Sequence, residues 1–267
     1  MQRILIAMLL VSAAVTCVGV SSASAAAIHP GVQTFTSGGQ CTANFVFRDG
    51  SGTYIGQAAH CSSTGGSTAT NGCTSKSLAL GTPVRISGAS RPGTLVYNSW
   101  LTMQRLRETD PSACQFNDFA LVRVHRADVA NVDPSVPGFG GPTSIGATRR
   151  LQTVFSYGSS SLRGNLTLLS PKQGFVAAMT SDGWSATVLT LTPGIPGDSG
   201  SGFLNASGQA IGVLSTLALA PLPASNGVGN LGRQLEYMRR HTSFSDVRLV
   251  PGTKRFRRNL TRAILGL

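Results

Sequence analysis

Gly197-Asp198-Ser199-Gly200-Ser201-Gly202 lies between two apolar, strand-like runs, Ala186 to Leu191 and Ala210 to Leu219. Glycines stand close to Ser199 on both sides, and an acid directly precedes it. Glycine lets the backbone turn tightly and approach a ligand closely. In such a turn the Gly197 and Ser199 amides can aim at one spot. A donor pair of that kind could hold the oxyanion of a tetrahedral acyl intermediate while the Ser199 hydroxyl attacks. Taken alone, the hexapeptide is as well read as a polar glycine loop, so the rest of the chain has to decide.

A serine hydroxyl is a weak nucleophile and needs a neighbouring base, usually histidine, which in turn needs an orienting acid. The chain has 4 histidines. His29 lies near the start, His125 ends a strand-like run and His241 ends a helix-like one. His60 is different: Gly56-Gln57-Ala58-Ala59 before it leaves room for packing under the imidazole, and Cys61 follows at once. Asp118 directly precedes the apolar run Phe119-Ala120-Leu121-Val122, which would shelter its carboxylate at a strand end. Asp110 and Asp128 lie in more polar stretches and are weaker candidates.

With 267 residues the chain is long enough for one large domain or two packed sub-domains. Its 32 glycines and only 12% charged residues point to short strands joined by tight turns, while 41% apolar residues argue against disorder. Arg3, the apolar run Ile4 to Val20 and the small residues Ala23-Ser24-Ala25 read as an export signal covering residues 1–25. A membrane anchor fits less well, because the run is short for a span. Cys17 falls inside that signal. The remaining Cys41, Cys61, Cys73 and Cys114 form an even set suited to two disulfides in an oxidising compartment, with three connectivities open. Their spacings do not resemble a zinc site, and no metal is expected.

Strands are expected over Val32 to Ser37, Cys41 to Phe47, Thr53 to Ala59, Pro83 to Ile86, Gly93 to Leu101 and Phe119 to His125. Asp49-Gly50 is a hairpin signal. Ala127 to Gly146, rich in Pro and Gly, reads as a connection between two halves. Leu151 to Tyr157, Leu162 to Leu169, Gly174 to Met179, Ala186 to Leu191 and Ala210 to Leu219 supply a second set of strands. Asn230 to His241 is the only convincing helix, with Asn230 as N-cap, Leu231, Leu235 and Met238 on one face and Arg239-Arg240 near the C-terminus. The pattern predicts two all-β barrels or sandwiches, about 28–130 and 147–250, within a domain of 28–250.

Residues 251–267 form a basic tail, in which Lys254, Arg255, Arg257, Arg258 and Arg262 alternate with Phe256, Leu260, Ile264 and Leu265. Such a segment either frays in solvent or makes weak contact with an anionic envelope surface. The formal charge is +12, but the basic residues are scattered without aromatic interleaving, so no nucleic-acid partner is expected.

Gln57-Ala58-Ala59-His60-Cys61, Asn117-Asp118-Phe119-Ala120-Leu121-Val122 and Gly197-Asp198-Ser199-Gly200-Ser201-Gly202 together resemble the three motifs of trypsin/chymotrypsin-like serine endopeptidases, in that family's order. The resemblance spans roughly Val32 to His241. It implies an all-β fold of two six-stranded antiparallel barrels with a C-terminal helix and the triad in the cleft between them. It implies His60 as general base, Asp118 as its orienter, Ser199 as the acylated nucleophile and the Gly197 and Ser199 amides as the oxyanion hole. It also implies a Cys41–Cys61 bridge beside the histidine and, with it, a Cys73–Cys114 bridge. Together with the export signal, the expectation is a secreted, monomeric serine endopeptidase acting on protein or peptide substrate without a cofactor.

Several residues depart from that family's pattern. An Ile-Val-Gly-Gly start, whose amine pairs with the acid beside the serine in animal members, is not found, and no long pro-segment is expected. Asp198 therefore needs another cation, for which Arg149, Arg150 and Arg163 are candidates. Pro193 stands where trypsins hold an acid, so cleavage after Lys or Arg is not supported. Ser215-Thr216-Leu217 falls where that family usually has a Ser-aromatic-Gly strand lining the primary pocket, and by that resemblance Leu217 in place of glycine would narrow it toward small or medium apolar residues. Two other readings are an inactive homologue that binds peptides or cell-envelope components, and an esterase on a different fold. The esterase would carry Gly-x-Ser-x-Gly on a strand-to-helix elbow and a late histidine, unlike this chain.

Overall fold

Asp49 turns the chain back on itself: its Oδ1 accepts from the Ser51 and Gly52 amides at 2.7 and 2.9 Å and from the Tyr54 hydroxyl at 2.8 Å. The hairpin signal thus forms the tight link between two antiparallel strands. The computed structural model describes residues 28–37, 39–65, 70–164, 166–218 and 225–266. The expected export signal, residues 1–25, lies outside them.

The first half carries β1 (Gln33–Thr36), β2 (Gly39–Thr42), β3 (Val46–Asp49), β4 (Gly52–Gln57), β5 (Pro83–Ile86), β6 (Gly93–Asn98) and β7 (Ala120–Arg123). The second carries β8 (Thr153–Tyr157), β9 (Pro171–Met179), β10 (Ser185–Thr190), β11 (Gly202–Asn205), β12 (Ala210–Ala218) and β13 (Ser225–Asn230), and the short β14 (Arg248–Leu249) follows. The second half is the expected six-stranded closed barrel, in the order β10-β13-β12-β11-β8-β9. The first half is an eight-stranded antiparallel sheet, β14-β3-β4-β7-β6-β5-β1-β2, rather than a six-stranded ring. Two features account for the extra strands. β14 adds to the outer edge of β3. The chain also bends between β2 and β3, where Ala43 N–H bonds to Val32 O and Asn44 N–H to Gly56 O, each 2.8–2.9 Å.

Each half buries its own apolar face. Ile55, Val84, Ile86, Leu95 and Val122 fill the first, and Val154, Val176, Val188, Phe203 and Val228 the second. A third cluster, with Phe45, Phe47, Phe119, Phe139, Phe155 and Leu235, joins elements of both. Burial of such side chains is worth roughly 1.5–3 kcal/mol each, so this shared cluster is what holds the halves at a fixed separation.

The helix expected near the end is present as α3 (Leu231–His241), after α1 (Ser99–Leu106) and α2 (Pro111–Phe116) and before α4 (Leu260–Leu265). Asn230 caps it through the Arg233 amide, and Leu231, Leu235 and Met238 are buried. The expected strand to Leu101 instead stops at Asn98, whose side chain accepts from the Trp100 and Leu101 amides and starts α1. Asp110 likewise caps α2, with Pro111 at its first position. The strand expected over Leu162 to Leu169 is not one: two short 3-10 turns, Ser161–Arg163 and Thr167–Leu169, stand there. Arg163 turns inward while the leucines stay exposed, so no ladder forms.

The residues after 250 pack on the domain rather than fray. Phe256 meets Phe155 edge-on at 5.5 Å between ring centres, and Ala263 is buried against Gly138. Lys254 pairs with Asp133 at 2.9 Å.

Candidate active site

β4 ends at Gln57 and delivers His60 on the 3-10 turn Ala59–Ser62. Two fasteners fix that turn. Asn98 Nδ2 donates to Ala59 O at 3.1 Å. Cys61 is bridged to Cys41 of β2, Cα to Cα 6.0 Å. Asp118 stands between α2 and β7. Ser99 brackets it, donating to Asn117 O at 2.6 Å and accepting from the Phe119 amide at 3.1 Å. The second bridge, Cys73–Cys114, ties the loop after His60 to α2 just before Asp118.

The two side chains meet. His60 Nδ1 lies 2.7 Å from Asp118 Oδ2, and the His60 backbone N–H donates to Asp118 Oδ1 at 2.9 Å. Ser215 Oγ donates to the same Oδ2 at 2.5 Å. Ser215 is the residue at which β12 slips register against β13, and the slip turns its side chain to Asp118. Burial alone would lower the His60 pKa, but the adjacent Asp118 charge and hydrogen bond outweigh it and hold His60 above its usual value. Burial would raise Asp118, yet its attraction to His60 and its hydrogen bonds from His60 and Ser215 hold it below the usual carboxylate range. The imidazole stays one-quarter exposed, while the carboxylate is almost fully covered.

Ser199 is adjacent. Its carbonyl accepts from the Thr42 amide at 2.8 Å. Gly200, at φ +89°, passes so close to the histidine segment that a Cβ there would lie 2.5 Å from Thr42 O and 2.9 Å from Ala58 N. Only glycine fits that crossing. Among the described residues the Ser199 hydroxyl makes no hydrogen bond to His60, so the structure joins His60 to Asp118 and leaves the serine hydroxyl unbonded to them. The loop's amides are sorted. Asp198 N–H donates to Ile195 O, Gly200 N–H to Leu214 O and Ser201 N–H to Asp198 O, at 2.7–3.0 Å. The Gly197 and Ser199 amides have no acceptor among the described residues. Gly197 sits at φ +97°, its carbonyl held by Gln40 Nε2 at 2.9 Å and Thr42 Oγ1 at 2.8 Å.

Asp198 has its cation. Arg163 grips both carboxylate oxygens, with Nη1 2.5 Å from Oδ1 and Nη2 on Oδ2. Arg149 and Arg150 are exposed and do not reach it. Lys172, which sequence reasoning missed, is fully buried on β9 with Nζ 3.1 Å from Asp198 Oδ2. Lysines on strands are common and no motif marks this one; only the fold puts it under the loop. Burial would raise the Asp198 pKa, but Arg163 and Lys172 hold it below the usual range. Burial, reinforced by Arg163, lowers Lys172 despite Asp198. The Ser160 and Ile195 amides complete the shell, each 3.1 Å from a carboxylate oxygen.

The other expected pocket residues lie on two adjoining segments. Pro193 O accepts from Lys172 Nζ at 3.1 Å and from Arg163 Nη2 at 3.4 Å. Thr216 and Leu217 pair in register with Gly227 and Asn226 of β13. A Cβ on Gly227 would lie 2.2 Å from Thr216 Oγ1, so the threonine hydroxyl covers that position. Asn226, fully buried and also missed from sequence, accepts from the Gly194 amide at 2.7 Å and donates to Val188 O and Thr190 Oγ1. His60 also lies near both Cys41 and Cys61, but those sulfurs are consumed in the disulfide and leave the imidazole without metal-ligating partners there.

No protein-family profile and no curated protein matches the sequence. Solved structures do. Protease A of Thermobifida fusca aligns at 21% identity and TM-score 0.54, over 85% of this chain and 100% of that one. The chymotrypsin of Cellulomonas bogoriensis aligns at 17% identity and TM-score 0.52, over 84% and 98%. Likeness at this identity is likeness of fold. The chain has the fold of the bacterial trypsin/chymotrypsin-like serine proteases.

Proposed function

We propose that the chain is a secreted serine endopeptidase that hydrolyses peptide bonds through an acyl-enzyme on Ser199. The observation that carries this is the His60–Asp118 couple, closed at 2.7 Å beside a serine loop in which the Gly197 and Ser199 amides have no acceptor among the described residues. His60 takes the Ser199 proton as the hydroxyl attacks the scissile carbonyl, and returns it to the leaving amine. Asp118 orients the imidazole and favours its charged form. The two amides receive the oxyanion. Water then attacks the acyl-enzyme, with His60 again as base. The two disulfides and the bacterial protease fold support export.

Pro193, Thr216 and Leu217 would border the primary pocket, with Ser215 connecting it to Asp118. Two cations and one carboxylate lie beside Pro193 O, leaving excess positive charge next to the pocket. That disfavours Lys or Arg in the substrate, and Thr216 over Gly227 favours small or medium apolar residues. A peptide-library digest showing strong preference for Lys or Arg would refute this.

The missing Ser199–His60 hydrogen bond is the observation that favours the alternative, an inactive homologue that binds peptides or envelope components. Such bonds often tighten only once substrate is bound. A fluorophosphonate probe separates the two readings. Labelling of the wild type that Ser199→Ala abolishes is expected; equal labelling of both, or of neither, defeats the peptidase reading.

A further inference from the structure

The turn Thr167–Leu169 and α4 touch, bringing together two parts of the chain far apart in sequence. Together they expose a run of apolar side chains: Leu166 at 56%, Leu168 at 51%, Ile264 at 38% and Leu265 at 63%. The packing of α4 forces this. Ala263 sits against Gly138 and Leu260 leans on the main core, so the helix has its inner side fixed and Ile264 and Leu265 are left outside. Scattered exposed leucines are ordinary, but four exposed apolar side chains borne on or beside two touching elements are not.

The segment leading into α4 is cationic. Arg255, Arg257 and Arg258 are exposed just before α4, and no acidic residue follows Asp246. A second copy of the chain would bring the same arginines face to face, at a formal charge of +12 per chain, and repel. A nucleic acid would have no use for the leucines. An anionic lipid surface meets both halves of the pattern: acyl chains for the apolar side chains, headgroup charge for the guanidinium groups.

We infer that this face docks the protein on an anionic bilayer, with Leu166, Leu168, Ile264 and Leu265 at the acyl boundary and Arg255, Arg257 and Arg258 among the headgroups. None of these side chains belongs to the His60–Asp118–Ser199 set, and the test reads lipid binding rather than hydrolysis, so docking stands or falls independently of the peptidase reading.

The test is co-sedimentation of the chain, as secreted, with vesicles of phosphatidylglycerol or of phosphatidylcholine at about 0.1 M salt. Binding to the first and not the second is expected. The Arg257→Gln/Arg258→Gln variant should bind about 30-fold more weakly, at about 1 kcal/mol per basic residue near the surface. Leu166→Ser/Leu168→Ser should also weaken binding, with both variants keeping the wild-type melting curve because the altered residues are exposed. Equal binding to both lipids, binding that survives both variants, or no binding at all overturns the inference. So does a leucine-dependent dimer in solution without vesicle binding.

Discussion

Asp118→Asn keeps the shape of the side chain and exchanges one acceptor oxygen for a donor. The structure dictates which one. The His60 backbone N–H, 2.9 Å from Oδ1, is a fixed donor and must find oxygen there. The amide nitrogen therefore takes the Oδ2 place, facing His60 Nδ1 at 2.7 Å and the Ser215 hydroxyl at 2.5 Å. It donates to both, since the hydroxyl can rotate to accept. Nδ1 must then be the bare nitrogen and the ring proton sits on Nε2, where Ser199 needs a base. The wrong tautomer, together with the lost charge opposite the imidazolium, should lower kcat by about 10⁴-fold, or about 5.5 kcal/mol of transition-state stabilisation. Asp118 is buried and meets no substrate, so KM should stay near the wild-type value. The attraction that raises the His60 pKa also disappears, so the acid limb of the residual activity should shift to lower pH. Steady-state hydrolysis of a peptide chosen from cleavage-site mapping, with probe titration to count competent sites, reads all three. A variant within tenfold of wild type, or one changed in KM alone, would refute the orienting role.

Further outcomes follow from the same geometry. The wild-type kcat/KM should rise with pH through a group above 6.5, because the competent His60 is neutral and its pKa is raised; an inflection below 6.5 would contradict the coupling. For stability the sign is reversed: the His60 contribution is complete below about 6.5 and fades as pH rises through its folded value. Arg163→Met removes the bidentate partner of buried Asp198 and should cost about 3 kcal/mol, with kcat reduced as the Gly197 and Ser199 amides lose their setting. Lys172→Met leaves that bidentate pair intact and removes the surplus buried charge, so it should cost less than about 1.5 kcal/mol. Equal melting points for the two variants would sink this ranking. Phe256→Ala removes the partly buried ring packed edge-on against Phe155 and should cost about 2 kcal/mol, read as a lower denaturant midpoint at unchanged slope.

The parts of the site legible in sequence are those carried by short neighbouring residues. His60 with its small predecessors, Asp118 at the mouth of an apolar strand, and Ser199 among glycines each announce a local requirement. Strand alternation also reveals the β architecture, because a half-buried strand must alternate. What stays hidden depends on tertiary placement. Lys172 is a polar residue on a strand until β9 carries it under Asp198. Ser215 reads as a pocket residue until a slipped register turns it to Asp118. Leu162 to Leu169 has strand composition, yet Arg163 is drawn inward to a buried carboxylate and no neighbouring strand pairs there. The missed helices are a different case. Asn98 before Ser99 and Asp110 before Pro111 are sound capping signals, overshadowed by the apolar run and the polar composition around them.

Three consecutive residues, Gln40, Cys41 and Thr42, reach into the second half or toward the histidine turn. Gln40 and Thr42 hold the Gly197 carbonyl, Thr42 also holds Ser199, and Cys41 holds Cys61. The glycine loop is therefore moulded on a template that belongs to the other half of the chain. Synthesis from the N-terminus makes that template first, so the loop emerges with its mould already translated. Severed from it, a C-terminal fragment could close its own barrel and still leave Gly197 and Ser199 without the grips that shape them. Competence should return only when the N-terminal fragment is added back.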